Sequence, residues 1–183
     1  MFFRGQIGKY TWMDLGSSFA MSELAAAFLW PQLQNSETVT EQRRELWQTY
    51  HAAFGEAEEA GLLRRPIVPE TCRHNAHMYY LLTPDQMTRD ELIAGLEERG
   101  INAVFHYIPL HSSPAGVKYG RAHGALPVTE DISARLVRLP LWTGMTIAQI
   151  ERVTDSVLEI VVRAAASRRR WPRRGRPRIP ASG

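Results

Sequence analysis

Two histidines and a tyrosine, His106, Tyr107 and His111, stand where an apolar run turns polar, and imidazoles at such a place can bind a ligand or carry a proton near neutral pH. The run before them is Ile101-Asn102-Ala103-Val104-Phe105. At period two it puts Ile101, Ala103 and Phe105 on one face of an expected strand, with Asn102 and Val104 on the other. Pro109 ends the ladder because it has no N–H to give. Strands that run into loops in this way are where proteins tend to place ligand contacts. A hydrogen-bonded structural corner is the competing account of the same residues.

Other reactive side chains are sparse. Cys72, the only cysteine, lies between Thr71 and Arg73 with no nucleophile signature around it, so a structural thiol is expected and an internal disulfide is excluded. His74 and His77 are three apart, and in a strand that spacing sends them to opposite faces, which argues against a metal pair. There is no glycine-rich phosphate loop, no Gly-x-Ser-x-Gly elbow, no His-x-x-x-His and no cysteine pair. Lys9 and Lys118 are the only lysines.

The elements that must carry the His106 corner can be taken in order. Residues 1–21 form an aromatic-rich arm, with Phe2, Phe3, Tyr10, Trp12 and Phe19 among glycines, expected to pack on another surface. Ser22 is the expected N-cap of a helix that Pro31 should kink or break. A second helix is predicted over residues 38–60, with Leu46, Trp47, Tyr50 and Phe54 inward and Gly61 as its C-cap. Ile67 and Val68, hemmed by Pro66 and Pro69, suggest an edge strand, and residues 77–82 an inner one. Thr88 and Glu91 have the spacing of a capping box for a helix closed by Gly100, which leads into residues 101–107 in the same sheet.

Residues 108–128 are expected to be a long loop, residues 129–136 a short helix opened at Thr129, and residues 137–142 a short strand. Thr146 and Gln149 form a second capping box for a last helix with Ile147, Ile150, Val153, Val157, Leu158, Val161 and Val162 inward. The expected organisation is therefore the arm at 1–21, connecting helices at 22–61, a small α/β domain at 62–163 and an arginine-rich tail at 164–183. The fold class is α/β, in the sense of an α+β domain with helices packed on a small, mainly antiparallel sheet.

Charge is unevenly placed. The formal net charge is +3, yet seven of the 22 basic residues and none of the 19 acidic ones fall in residues 164–183, so the rest of the chain is mildly acidic. Beyond Ala166 the composition is dominated by Arg, Pro, Gly, Ala and Ser, and it predicts disorder. An arginine tail can attract polyanions, but apart from Trp171 it has nothing to stack on bases, so nucleic acid is not the expected partner. No run approaches the ~18–20 apolar residues of a membrane span, and the expectation is a soluble cytoplasmic protein.

Several linked motifs resemble the DegT/DnrJ/StrS family of pyridoxal-phosphate sugar aminotransferases. They are Gly16-Ser17-Ser18-Phe19 with Ser22-Glu23-Leu24-Ala25-Ala26-Ala27, then Asn75-Ala76-His77-Met78-Tyr79-Tyr80, His106-Tyr107-Ile108-Pro109-Leu110-His111 and Leu139-Pro140-Leu141. Phe2-Phe3-Arg4-Gly5-Gln6, Lys9-Tyr10-Thr11-Trp12 and residues 103–111 are similar to the dTDP-4-amino-4,6-dideoxygalactose transaminases within that family.

The resemblance implies the C-terminal part of an aspartate-aminotransferase-like fold, working as a homodimer or with a cofactor domain. It also implies pyridoxal 5'-phosphate as cofactor, and a dTDP-sugar and glutamate as substrates, in a pathway to surface polysaccharide such as enterobacterial common antigen. The family's Schiff-base lysine falls upstream of the matching stretch, and neither Lys9 nor Lys118 is at a matching position, so no catalytic residue is carried over and the chain is expected to be inactive alone. Ser18 stands where an asparagine often reaches the cofactor phosphate, and Ala20 where many members have arginine. Tyr10, Trp12, His106, Tyr107 and His111 are implied on the sugar-nucleotide side. A non-catalytic interaction module is the alternative, followed by a nucleic-acid binder through the tail.

Overall fold

A computed structural model describes residues 21–169, so the arm's Tyr10, Trp12 and Ser18 and the tail from residue 170 lie outside the described residues. A boundary between two compact units falls at Ser36/Glu37. To the first unit belongs α1 (Glu23–Gln34), which Ser22 caps by accepting from Ala25 N–H at 3.3 Å. Of the expected kink or break at Pro31, no break occurs, and α1 continues through it. It buries none of its residues: Leu24 is 83% and Phe28 78% exposed.

The second unit holds the core. In place of one helix over 38–60 there are two, α2 (Ser36–Ala53) and α3 (Gly55–Glu59), joined at Phe54. The predicted inward set holds, with Leu46, Trp47, Tyr50 and Phe54 all buried. Gly61 closes this segment at φ +70°, where Leu62 N–H reaches Ala57 C=O and Gly61 N–H reaches Glu58 C=O, both at 2.9 Å. That pair of bonds satisfies carbonyls a helix end leaves open, and the positive φ is free of steric cost only for glycine.

Two short strands, β1 (Tyr79–Leu82) and β2 (Leu136–Leu139), pair antiparallel with Tyr79 opposite Leu139 and Tyr80 opposite Arg138. Isolated bridges extend the sheet on both sides, Arg64 to Leu82 and Val104 to Arg138. The edge partner of β1 is therefore Arg64. Ile67 and Val68 form no strand, and Ile67 is 70% exposed, because the flanking prolines have no N–H with which to continue a ladder. Likewise residues 101–107 contribute one bridge rather than a full strand: Ile101 and Ala103 are buried as expected, while Phe105 is exposed.

Between the strands, α4 (Gln86–Glu97) begins earlier than the Thr88 box implies. Asp85 is the N-cap and accepts from both Thr88 N–H and Thr88 Oγ1 at 2.8 Å, which places Thr88 inside the first turn. Its exit does follow expectation: Gly100 at φ +68° lets Ile101 N–H bond Leu96 C=O. The expected loop 108–128 contains a 3₁₀ turn (Leu110–Ser112) and α5 (Pro114–Tyr119), capped by Ser113 on Gly116 N–H. Next, α6 (Pro127–Arg135) opens with Pro127 in its first turn, where a missing N–H costs nothing, and not at Thr129.

The last helix, α7 (Ile147–Arg169), has the predicted reciprocal box: Gln149 N–H donates to Thr146 Oγ1 at 3.2 Å and Thr146 N–H donates to Gln149 Oε1 at 2.9 Å. Ile150, Val153, Val157 and Val161 are buried. Ile147 and Val162, expected inward, are about half exposed. The helix runs on to Arg169, into the segment whose composition predicts disorder. It packs closely on α4: a Cβ on Gly95 would meet Ile160 Cδ1 at 2.9 Å, so the helices touch where a side chain is missing. No helix among the described residues is long and apolar enough to cross a membrane.

Candidate functional site

The register of the sheet builds the His106 corner. Val104 exchanges both backbone bonds with Arg138, donating at 3.2 Å and accepting at 2.7 Å. Paired residues in an antiparallel ladder share a face, and the next residue but one lies on that face too. His106 is therefore brought to the Arg138 side, away from buried Ala103. There Arg138 Nη1 lies 2.8 Å from His106 Nδ1. Tyr107 follows with its ring centroid 3.9 Å from the imidazole, tilted by 37°, and is 62% exposed.

The pair stands between two hollows. One, of about 290 Å³, is lined by His77, Met78, Asn102, Val104, Arg138, Leu139, Pro140, Leu141 and Trp142. The other, of about 480 Å³, has His106, Tyr107, Pro109 and Leu110 on one wall and Val128, Ile132 and Leu136 from α6 and β2 on the other. Tyr107 also borders a third hollow of about 490 Å³ above α4, where the Arg89 guanidinium sits 5.6 Å from the Phe105 ring centroid.

His111 is placed differently. It belongs to the 3₁₀ turn, and its Nε2 lies 3.1 Å from Glu130 Oε1 on α6. The corner thus keeps His106 and Tyr107 together and sends His111 to a separate contact; it borders none of the three hollows. Arg138 is the residue that local reasoning missed. It reads as the wet position of an alternating strand, and the one available signal was a long cation between Val137 and Leu139.

Electrostatics favour a neutral imidazole. The pKa of His106 is lowered, first by partial desolvation, then by the Arg138 guanidinium and by His77. Among the described residues Arg138 forms no ion pair with a carboxylate. What the corner offers is a guanidinium, two imidazoles, the Asn102 amide and the faces of Tyr107 and Trp142, groups suited to gripping oxygen acceptors and flat rings. No lysine or cysteine borders these hollows. Cys72 is exposed, Lys118 is exposed on α5 with Nζ 4.9 Å from the Tyr119 ring, and no described cluster of three His, Cys, Asp or Glu could hold a metal.

The comparisons agree with this architecture. The model of the DegT/DnrJ/EryC1/StrS aminotransferase family matches residues 3–158, and the chain belongs to that family. It is 31% identical to a pleiotropic regulatory protein of Geobacillus stearothermophilus over 85% of this chain and 41% of that protein. It is 29% identical to the dTDP-3-amino-3,4,6-trideoxy-alpha-D-glucose transaminase of Streptomyces venezuelae over 85% of this chain and 40% of that enzyme. Among solved structures, DesV of S. venezuelae in complex with a ketimine intermediate superposes with a TM-score of 0.74 at 28% identity, over 86% of this chain and 41% of that one. The fold is thus the mixed α/β arrangement of aminotransferase structures, and the chain spans about two fifths of the length of the relatives it matches.

Proposed function

We propose that this chain forms the substrate-facing part of a pyridoxal-phosphate-dependent sugar-nucleotide transaminase. The assembled enzyme would move an amino group from glutamate to C4 of dTDP-4-keto-6-deoxyglucose, giving dTDP-4-amino-4,6-dideoxygalactose for surface polysaccharide. The observation that carries this is the His106–Arg138 contact at 2.8 Å between two hollows, in a chain that belongs to a sugar aminotransferase family. A guanidinium and the His106 imidazole suit the diphosphate and hydroxyl oxygens of a sugar nucleotide, and Tyr107 and Trp142 suit its base. The choice of dTDP sugar rests on the sequence of residues 103–111 and on the arm.

Pyridoxal phosphate belongs in this proposal to the assembled enzyme. The described residues do not fit it: Lys118, their only lysine, is exposed on α5 beside Tyr119 and borders none of the three hollows. Ser18, proposed for the cofactor phosphate, and Tyr10 and Trp12, proposed for the sugar-nucleotide side, lie outside the described residues. The chain's own part is to bind and orient the sugar nucleotide through His106 and Tyr107, while His111, expected on the same side, instead contacts Glu130 on α6. A homodimer, or association with a cofactor-bearing partner, completes the site.

Titration with dTDP and with a dTDP-sugar, followed by the ring signals of His106, Tyr107 and Trp142, tests the proposal. Saturable shifts at those rings are expected. Shifts confined to the arginine-rich tail would sink it. Reduction with borohydride in the presence of pyridoxal phosphate should leave no site-specific pyridoxyl-lysine, and a stoichiometric adduct on Lys9 or Lys118 with turnover would put the imine lysine within this chain.

A further inference from the structure

The proton on His106 can be located from its partner. A guanidinium has five N–H donors and no acceptor, so the 2.8 Å contact from Arg138 Nη1 obliges His106 Nδ1 to accept. An imidazole that accepts at Nδ1 is neutral and carries its proton on Nε2. His77, the neighbouring imidazole, is set the opposite way. Asn75 Oδ1 accepts from His77 backbone N–H at 3.2 Å, which identifies that atom as the oxygen, and it lies 2.9 Å from His77 Nδ1. His77 therefore donates from Nδ1, and whenever that ring is neutral its Nε2 is the acceptor.

We propose that Arg138 is a positioning residue for His106, holding the imidazole as its neutral Nε2–H form so that it offers the pocket a hydrogen-bond donor and neither a base nor a cation. Burial and the neighbouring guanidinium act in the same direction. Arg138 from β2 disfavours a second positive charge on the ring, as His77 from the segment before β1 does when protonated, while Tyr107 lies with its ring centroid 3.9 Å away. The backbone bridge between Val104 and Arg138 fixes the distance over which this works, because it sets the root of the arginine beside the strand that leads into His106. The ligand class addressed by an Nε2–H beside the remaining guanidinium N–H groups is an oxygen acceptor, either a phosphate oxygen or a sugar hydroxyl. That destination rests on the proposed function. The protonation state does not.

The test uses the full chain labelled with ¹⁵N at histidine and a long-range ¹H–¹⁵N correlation across pH. In the unaltered protein His106 Nδ1 should resonate as an unprotonated acceptor and Nε2 as a protonated nitrogen, with His77 showing the reverse in the same spectrum. Arg138→Met should give a mixture of His106 tautomers and raise its titration midpoint toward the ordinary ~6.5. Arg138→Lys, which keeps a donor and a charge, should retain the Nε2–H form. A protonated Nδ1 on His106 in the unaltered protein would overturn the proposal outright. So would an Arg138→Met spectrum with tautomer and midpoint unmoved. Should that variant fail to fold, the unaltered and Arg138→Lys spectra decide. A dTDP-sugar that leaves His106 untouched would remove the sugar-nucleotide reading while the tautomer assignment stands.

Discussion

Arg168 Nη1 lies 2.7 Å from Asp85 Oδ2, so the last turn of α7 is tied to the carboxylate that caps α4. The other oxygen of Asp85 accepts from Thr88 N–H and Thr88 Oγ1. One side chain thereby satisfies a helix start and pairs with a residue 83 positions away. Asp85→Ala should lower stability by about 1 kcal/mol through the lost cap. Arg168→Ala should cost less, because both partners are substantially exposed and a screened pair contributes little, ~0–1 kcal/mol. Although desolvation alone would raise the Asp85 pKa, the Thr88 bonds and Arg168 outweigh it and the pKa is lowered. Its contribution is therefore present above the ordinary carboxylate range and lost as pH falls through the depressed value. Urea unfolding of both variants, repeated at acid pH, checks size and sign.

Tyr50 and Tyr79 offer a paired comparison. Both are fully buried and stack at 5.1 Å between centroids, but only Tyr50 has a main-chain partner, donating from Oη to Pro140 C=O at 2.9 Å. Tyr79 Oη has no hydrogen-bond partner among the described residues. Tyr50→Phe should cost about 1 kcal/mol, while Tyr79→Phe should be neutral or stabilising, since it removes a buried hydroxyl that nothing pairs. Burial raises both phenol pKa values, so the stability they contribute is complete below the unfolded value near 10 and declines as pH rises above it. Thermal unfolding of the two variants at neutral and alkaline pH distinguishes them. Equal losses would contradict the assignment.

Two histidines sit on Trp47: His51 stacks at 4.6 Å and His74 meets the indole edge-on at 4.6 Å. Both pKa values are lowered, first by desolvation, then by Arg65 for His51 and by Arg44 for His74. Imidazoles held neutral contribute stability above their unfolded value, ~6.5, and lose it as pH falls through the depressed folded values. The melting temperature should therefore drop between pH 7 and pH 5, and drop less in His74→Gln. A melting temperature that holds constant over that interval would remove the effect, and ¹H titration of the two rings identifies which one protonates first.

Much of the helical skeleton was legible in the sequence. Ser22, Gly61, Gly100 and the Thr146–Gln149 box all act over one helical turn, so composition and spacing suffice to find them. Local rules stalled where two residues competed. Asp85 and Thr88 are both good caps, and Asp85 prevails in a setting that includes Arg168 from the far end of the chain. Short strands were also hard to place. Residues 101–107 have the right alternation, yet only Val104 finds a partner, and Phe105 stays exposed at the rim of the hollow above α4, where the Arg89 guanidinium is its neighbour.

The sequence by itself determined which residue types gather near position 106, the helices that frame them and the family motifs that run through them, because these are local patterns or linear matches. Tertiary structure alone decided that His106 meets Arg138, 32 residues on, and that His111 goes instead to Glu130. The reason is register. A one-residue slip of Val104 against β2 would turn His106 to the opposite face, and register follows from packing across the whole sheet and not from the residues of either strand.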